Sequence, residues 1–142
     1  ERLKGFRLGL ENSSRAFDDR IEVTGAFSAS FARAKTTELL KGPVRKRPTA
    51  LLSGGVQATI GVLEALSDLG IRAGDDISLV VVDDLPWLRI LRPKISAVSR
   101  DPQAMGRVAG ELVLAQIGGA APSTVMLPTK YQPRDTSQPK TA

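Results

Sequence analysis

The chain has 142 residues, 42% hydrophobic and 25% charged, with a formal net charge of +5 and neither cysteine nor histidine. That length builds the core of one compact domain, and the composition excludes a disordered chain. The absence of Cys excludes a disulfide framework and suits a cytoplasmic protein, while the lack of His and Cys removes the commonest general base, thiol nucleophile and zinc ligands.

Arg2 to Leu10 reads as the end of a helix, with Leu3, Phe6 and Leu10 on one side. Asn12 to Arg20 is a polar connection, and Ile21 to Thr24 is a short strand entering Gly25-Ala26-Phe27. Ser28 or Ser30 can cap a helix that runs to about Leu40, where Gly42-Pro43 stops it. The basic cluster Lys41, Arg45, Lys46 and Arg47 reads as a solvated loop before Pro48, so net charge alone predicts no DNA contact. Thr49 to Ser53 is a second strand, ending at Gly54-Gly55. A glycine pair between a strand and a helix admits a phosphate at the helix N-terminus, but a tight turn is the preferred reading.

Val56, Ile60, Leu63, Leu66 and Leu69 mark one face of the next helix, with Gly70 placed for a left-handed cap. Ile77 to Val82 is an apolar run suited to a parallel strand covered on both faces, ending at Asp83-Asp84. Pro102 opens another helix, with Ala104, Met105, Val108, Leu112 and Ile117 spaced apolarly before Gly118-Gly119. Val125 to Tyr131 is a last strand, placed at an edge or broken by Pro128. From Gln132 the sequence turns polar, and fraying is expected. Alternating strands and helices imply an α/β fold with a parallel sheet flanked by helices.

In such sheets ligands bind beyond the carboxyl ends of the strands. Three ends are legible: Gly25-Ala26-Phe27, Ser53-Gly54-Gly55 and Asp83-Asp84. Asp83 can accept hydrogen bonds from hydroxyls or an amine, Phe27 offers a flat apolar face, and Arg2 supplies a forked donor if its helix points there. The alternatives are a turn cap for Asp83 or Asp84, a core place for Phe27 and a surface place for Arg2. No constellation supports catalysis, so no catalytic residue, cofactor or metal is expected. Neither a membrane span nor a signal peptide is expected. Because the chain starts at Glu1 and its methionines are Met105 and Met126, a piece of a longer protein is expected.

Several stretches resemble LacI/GalR transcriptional regulators. Arg2-Leu3-Lys4-Gly5-Phe6 resembles the RxxGF of that family, and Pro48-Thr49-Ala50 with Gly61 to Leu66 and Leu69-Gly70 resembles its PTA…GxLxALxxxG stretch. Asp76 to Val80 with Asp83-Asp84 resembles DISVVGFDD; Pro93, Met105-Gly106, Leu127-Pro128 and Arg134-Asp135-Thr136 fall in the family's order. The resemblance covers nearly the whole chain. It implies a type I periplasmic-binding-protein-like core of two α/β lobes with a small-molecule effector in the cleft between them. It further implies a homodimer and contact with operator DNA only through a helix-turn-helix head outside this chain. Residues 1–100 and 128–136 would form the C-terminal lobe, 101–127 a crossover segment of the N-terminal lobe, and 137–142 a flexible tail.

Carried over by position, the resemblance implies that Arg2, Phe27 and Asp83 bind effector. At Gly55-Val56 the family usually has Asn-Asp, so Gly55 stands in the site without a polar side chain, and a different or more apolar ligand than a typical sugar, or loss of effector control, is expected. The implied dimer surface uses Ile60, Leu63 and Glu64 on one helix, and Leu85, Trp87, Leu88 and Leu91 in the segment after Asp84; the alternative is that this segment folds onto its own core. The alternative of the same fold is a sugar-binding protein of transport or chemotaxis.

Overall fold

The computed structural model describes residues 1–13 and 22–138. Helix α1 is Arg2–Asn12, and its partly buried residues are Leu3, Phe6 and Leu10, the side chosen from their spacing. Helix α2 is Ala29–Lys41, entered through Ser28, whose Oγ accepts a hydrogen bond from the Phe31 N–H at 3.2 Å. That bond satisfies one of the free donors at a helix start. Strand β1 is Ala50–Ser53 and helix α3 is Val56–Asp68; Gly70 follows with φ +64, the left-handed turn expected of it. Between α2 and β1 the basic cluster forms a largely exposed loop with one 3-10 turn, Val44–Lys46.

Helix α3 buries only Leu66 of the stripe chosen from its sequence, with Leu63 and Leu69 packed at the edge of the core. Thr59, Gly61, Val62, Ala65 and Leu66 are buried, whereas Val56, Ile60, Leu63 and Leu69 are half-buried. The reason is α2. A Cβ added to Gly61 would lie 2.1 Å from the Ala29 carbonyl oxygen, so the two helix backbones meet at this glycine. Close approach there turns the small side of α3 inward and leaves the larger residues at its margins.

Strand β2 is Ser78–Val82, β3 is Ser96–Ser99 and β4 is Lys130–Gln132, and the sheet order is β1-β2-β3-β4. β1, β2 and β3 are parallel, while β4 pairs antiparallel with β3 at the edge, so the sheet is mixed rather than wholly parallel. Leu79 and Val81 of β2 are fully buried, but Val80 and Val82 are only partly so. The expected cover on both faces is therefore complete on one. The core beneath that face joins Leu40, Val62, Leu66, Ile77, Leu88 and Ile95.

Further expectations change, and of the strand expected over Val125 to Tyr131 only Lys130 and Tyr131 pair, in β4. The strand foreseen over Ile21–Thr24 falls partly outside the described residues, and Glu22 to Ala26 form no strand. Glu22 is drawn instead to Arg7 of α1, 2.5 Å away, and Gly25-Ala26 have little side chain to pack. β3, with the sequence Ser-Ala-Val-Ser, was not foreseen. The segment after Gln132 docks rather than frays: Thr136 is fully buried, its Oγ1 donating to the Leu79 carbonyl at 2.6 Å and accepting from the Ser96 N–H at 2.9 Å. Ser96 Oγ also accepts from the Arg134 N–H at 2.8 Å. Two polar segments thus satisfy each other inside the protein, which is the condition for burying them.

Helix α4, Pro102–Ile117, begins as foreseen at Pro102, with Asp101 Oδ1 accepting from the Ala104 N–H at 2.9 Å. It contains no buried residue; Val113, Leu114 and Ile117 are exposed by 56%, 70% and 78%. Ala104, Val108 and Leu112 are partly covered, while Met105 and the apolar residues of its last turns are open. Among the described residues no helix is long and apolar enough to cross a membrane.

Candidate functional site

β1 and β2 run parallel with Ser53 beside Val81, so Gly55 and Asp83 leave adjacent strand ends on the same carboxyl rim. Gly55 precedes the first residue of α3 and is buried. A Cβ placed on it would fall 2.7 Å from Phe27 Cζ and 3.7 Å from an Arg2 guanidinium nitrogen. Three of the four expected ligand residues therefore converge on one point. The ring of Phe27 occupies the space a side chain at position 55 would need, yet the residue is 70% exposed. It lies as a shelf over glycine and is no part of the core. Arg2 reaches the same rim from α1 and donates from its guanidinium to the Gly54 carbonyl.

The hydroxyls beside this shelf are spent internally. Ser53 Oγ and Thr59 Oγ1, both on buried residues, lie 2.9 Å apart, and Thr59 Oγ1 donates to the Gly55 carbonyl at 2.9 Å. They brace the turn into α3.

Asp83 has φ +79, a left-handed conformation that Asp tolerates better than most side chains. Its N–H donates to the Val98 carbonyl at 3.0 Å. Its Oδ1 accepts twice from Arg100, from Nε at 2.7 Å and Nη2 at 2.5 Å. Arg100 immediately follows β3 and belongs to the same rim; it also borders a hollow of about 220 Å³ whose walls include Met105, Val125, Leu127 and Pro128. Sequence reasoning missed Arg100 because it missed β3. A strand recognised before Arg100-Asp101-Pro102 would have placed that arginine at a fourth strand end.

Asp84 faces the other way. Its side chain is 5% exposed, and Oδ2 accepts from Arg134 Nη2 at 2.7 Å and Arg89 Nη2 at 2.9 Å. Oδ1 is buried with no hydrogen-bond partner among the described residues. The hydrogen bond from Arg134 holds the carboxyl below its ordinary value, outweighing the upward push of burial, and Arg89 acts in the same direction. Asp84 thus fastens the turn after β2 to the docked C-terminal segment, leaving Asp83 for the rim.

The residues expected at a dimer surface divide. Leu88 is 1% exposed and sits in the core, where the 3-10 turn Pro86–Arg89 points it inward, so its side chain offers nothing to a partner. Leu85, Trp87 and Leu63 are partly buried against that core, and Ile60 is also partly buried. Glu64 and Leu91 are exposed. Glu64 helps line an open groove of about 790 Å³ between α2 and α3, with Arg33, Lys41 and Asp68. That groove lies on the helical layer, apart from the rim residues. Among the described residues no cluster of three or more acidic side chains is arranged to hold a metal ion.

The periplasmic binding protein-like domain model matches residues 1–137. The chain is 25% identical over 131 residues to a probable opine utilization operon repressor of Rhizobium rhizogenes, covering 90% of this chain and 65% of that protein. It is 28% identical over 116 residues to the HTH-type transcriptional repressor PurR of Proteus mirabilis, covering 82% of this chain and 33% of that one. Among solved structures, a regulatory protein of the LacI family from Chloroflexus aggregans superimposes with a TM-score of 0.84 at 25% identity, over 96% of this chain and half of that chain. The Lac repressor bound to ONPG does so with a TM-score of 0.80 at 27% identity, over 96% of this chain and 40% of that one. A mostly parallel sheet with its rim residues gathered at the carboxyl end, matched across nearly its full length, belongs to the periplasmic binding protein-like domain family.

Proposed function

We infer that this chain is the effector-binding and dimerising part of a LacI-type transcriptional regulator, in which a small molecule controls operator binding by a helix-turn-helix head. The carrying observation is the meeting of Arg2 and Phe27 over Gly55, with Asp83 on the neighbouring strand end of the same rim. The relatives named above are repressors, which favours this reading over a transport protein of the same fold. The chain spans 65% and 33% of their lengths, so the head and the rest of the cleft are assigned to sequence outside it. The exposure of Val113, Leu114 and Ile117 on α4 supports its assignment to the crossover segment, where the N-terminal lobe would cover them.

In such a regulator the effector shifts the balance between operator-bound and released states through unequal affinity for the two. Asp83 contributes the carboxylate oxygen that Arg100 leaves open, Arg2 a cationic donor and Phe27 a flat apolar surface. In the full-length protein, Asp83→Ala weakens effector binding by about tenfold or more, the scale of a lost charged hydrogen bond. Calorimetry giving unchanged affinity removes Asp83 from the site. Specific operator footprinting by this chain without its head would overturn the division of labour.

A further inference from the structure

The rim residues also carry information about ligand chemistry, which rests on the effector-site reading above. The side chains at the turn from β1 into α3 and at Asp83 divide into spent and open groups. Ser53 and Thr59 are buried and bonded to each other and to the Gly55 carbonyl, so they read no ligand hydroxyl. Gly55 has no side chain, and the Phe27 ring fills the place of one. Asp83 has one oxygen engaged by two Arg100 donors, which neutralises its charge and leaves Oδ2 as a single acceptor. Arg2 spends one nitrogen on the Gly54 carbonyl, and the remainder of its fork stays unused among the described residues. Arg100 is occupied by Asp83, so the open cationic donor on this rim is the remainder of the Arg2 fork.

Within this side of the cleft a neutral polyol finds few open side-chain partners, because recognising several hydroxyls takes several open acceptors and donors. A carboxylate suits it. The guanidinium fork pairs with carboxylate geometry, and the bond is stronger than one to a neutral group. An exposed aromatic ring beside the fork suits a flat body, since offset stacking adds to area burial.

We propose that the site takes a small flat carboxylate bearing one hydroxyl or amine: the carboxylate on Arg2, the flat body on Phe27, and the single donor on Asp83 Oδ2. Arg100 is a positioning residue, holding Asp83 by Oδ1 and offsetting its charge. A bulkier residue at position 55 closes the shelf, because even a Cβ there meets Phe27 Cζ at 2.7 Å.

The test uses the full-length protein and matched probes in thermal-shift and calorimetric titrations: 4-hydroxybenzoate and 4-aminobenzoate, their neutral amides, and the polyols ribose and glucose. Carboxylates that stabilise the protein while their amides do not is the expected result. Arg2→Gln then lowers carboxylate affinity about ten- to a hundredfold, the scale of a lost charge-assisted bond. Arg100→Gln also weakens carboxylates, by uncovering the Asp83 charge. Arg2 and Arg100 are exposed, so these substitutions spare the core. Equal response to acid and amide, response to the polyols alone, or no response to either carboxylate overturns the ligand class. If the polyols bind and Phe27→Ala and Asp83→Ala abolish that binding, the site stands and only its ligand class falls. Binding of any probe that survives both substitutions removes the site reading as well.

Discussion

Arg134→Met removes the cation that anchors Asp84 while keeping an apolar stem of similar reach. Arg134 is 14% exposed and Asp84 5%, so their 2.7 Å bond is largely shielded from water. Arg134 also donates to the Ile95 carbonyl at 2.6 Å. Breaking a buried pair costs about 3–5 kcal/mol when a charge is left unpaired. Here Arg89, 61% exposed, still holds Asp84 Oδ2, so the loss falls to about 2–4 kcal/mol. The already unpartnered Oδ1 makes further relief inside the fold difficult. The cost should also depend on pH. Arg134 lowers the folded pKa of Asp84, so the pair stabilises fully above the unfolded value, about pH 4, and loses its effect as pH falls through the lower folded value. Urea titrations at pH 7 and near pH 3 measure both. A variant within about 0.5 kcal/mol of the parent at pH 7, or a difference that grows on acidification, would refute the assignment.

Thr136→Val keeps the shape but removes the oxygen shared by Leu79 and Ser96, and should cost about 1–3 kcal/mol in denaturant titrations; an unchanged midpoint would show that these groups find other partners. Gly61→Ala forces a methyl to 2.1 Å from the Ala29 oxygen, so α2 and α3 must separate, at about 1–3 kcal/mol or more, read as a lower Tm. A stabilised alanine variant contradicts that packing. Trp87→Ala should shift the protein towards monomer in analytical ultracentrifugation, and an unaltered sedimentation profile would sink the proposed dimer surface.

Helix starts and stops were legible because their causes are local. Ser28 caps α2, Pro102 opens α4 behind Asp101, and Gly70 takes the left-handed turn, each within a few residues of the group it satisfies. Leu3, Phe6 and Leu10 likewise declare one side of α1 by spacing alone. The α/β class and its rim followed from alternating strands and helices, and so did Asp83 beside Gly55. Other features depended on partners remote in sequence. Ser-Ala-Val-Ser has no apolar run to announce a strand; β3 is buried because Thr136, forty residues on, receives the Ser96 N–H. The same docking converts an apparently fraying tail into part of the core. Sequence left the segment around Leu88 between a dimer surface and its own core; the turn at Pro86–Arg89 directs Leu88 inward. At the rim, sequence alone proposed Arg2, Phe27, Gly55 and Asp83, but not the ring over glycine or Arg100 on Asp83. Periodicity reports which face of an element is apolar. Which polar groups are spent, and which remain for a ligand, is decided only when distant segments meet and satisfy one another.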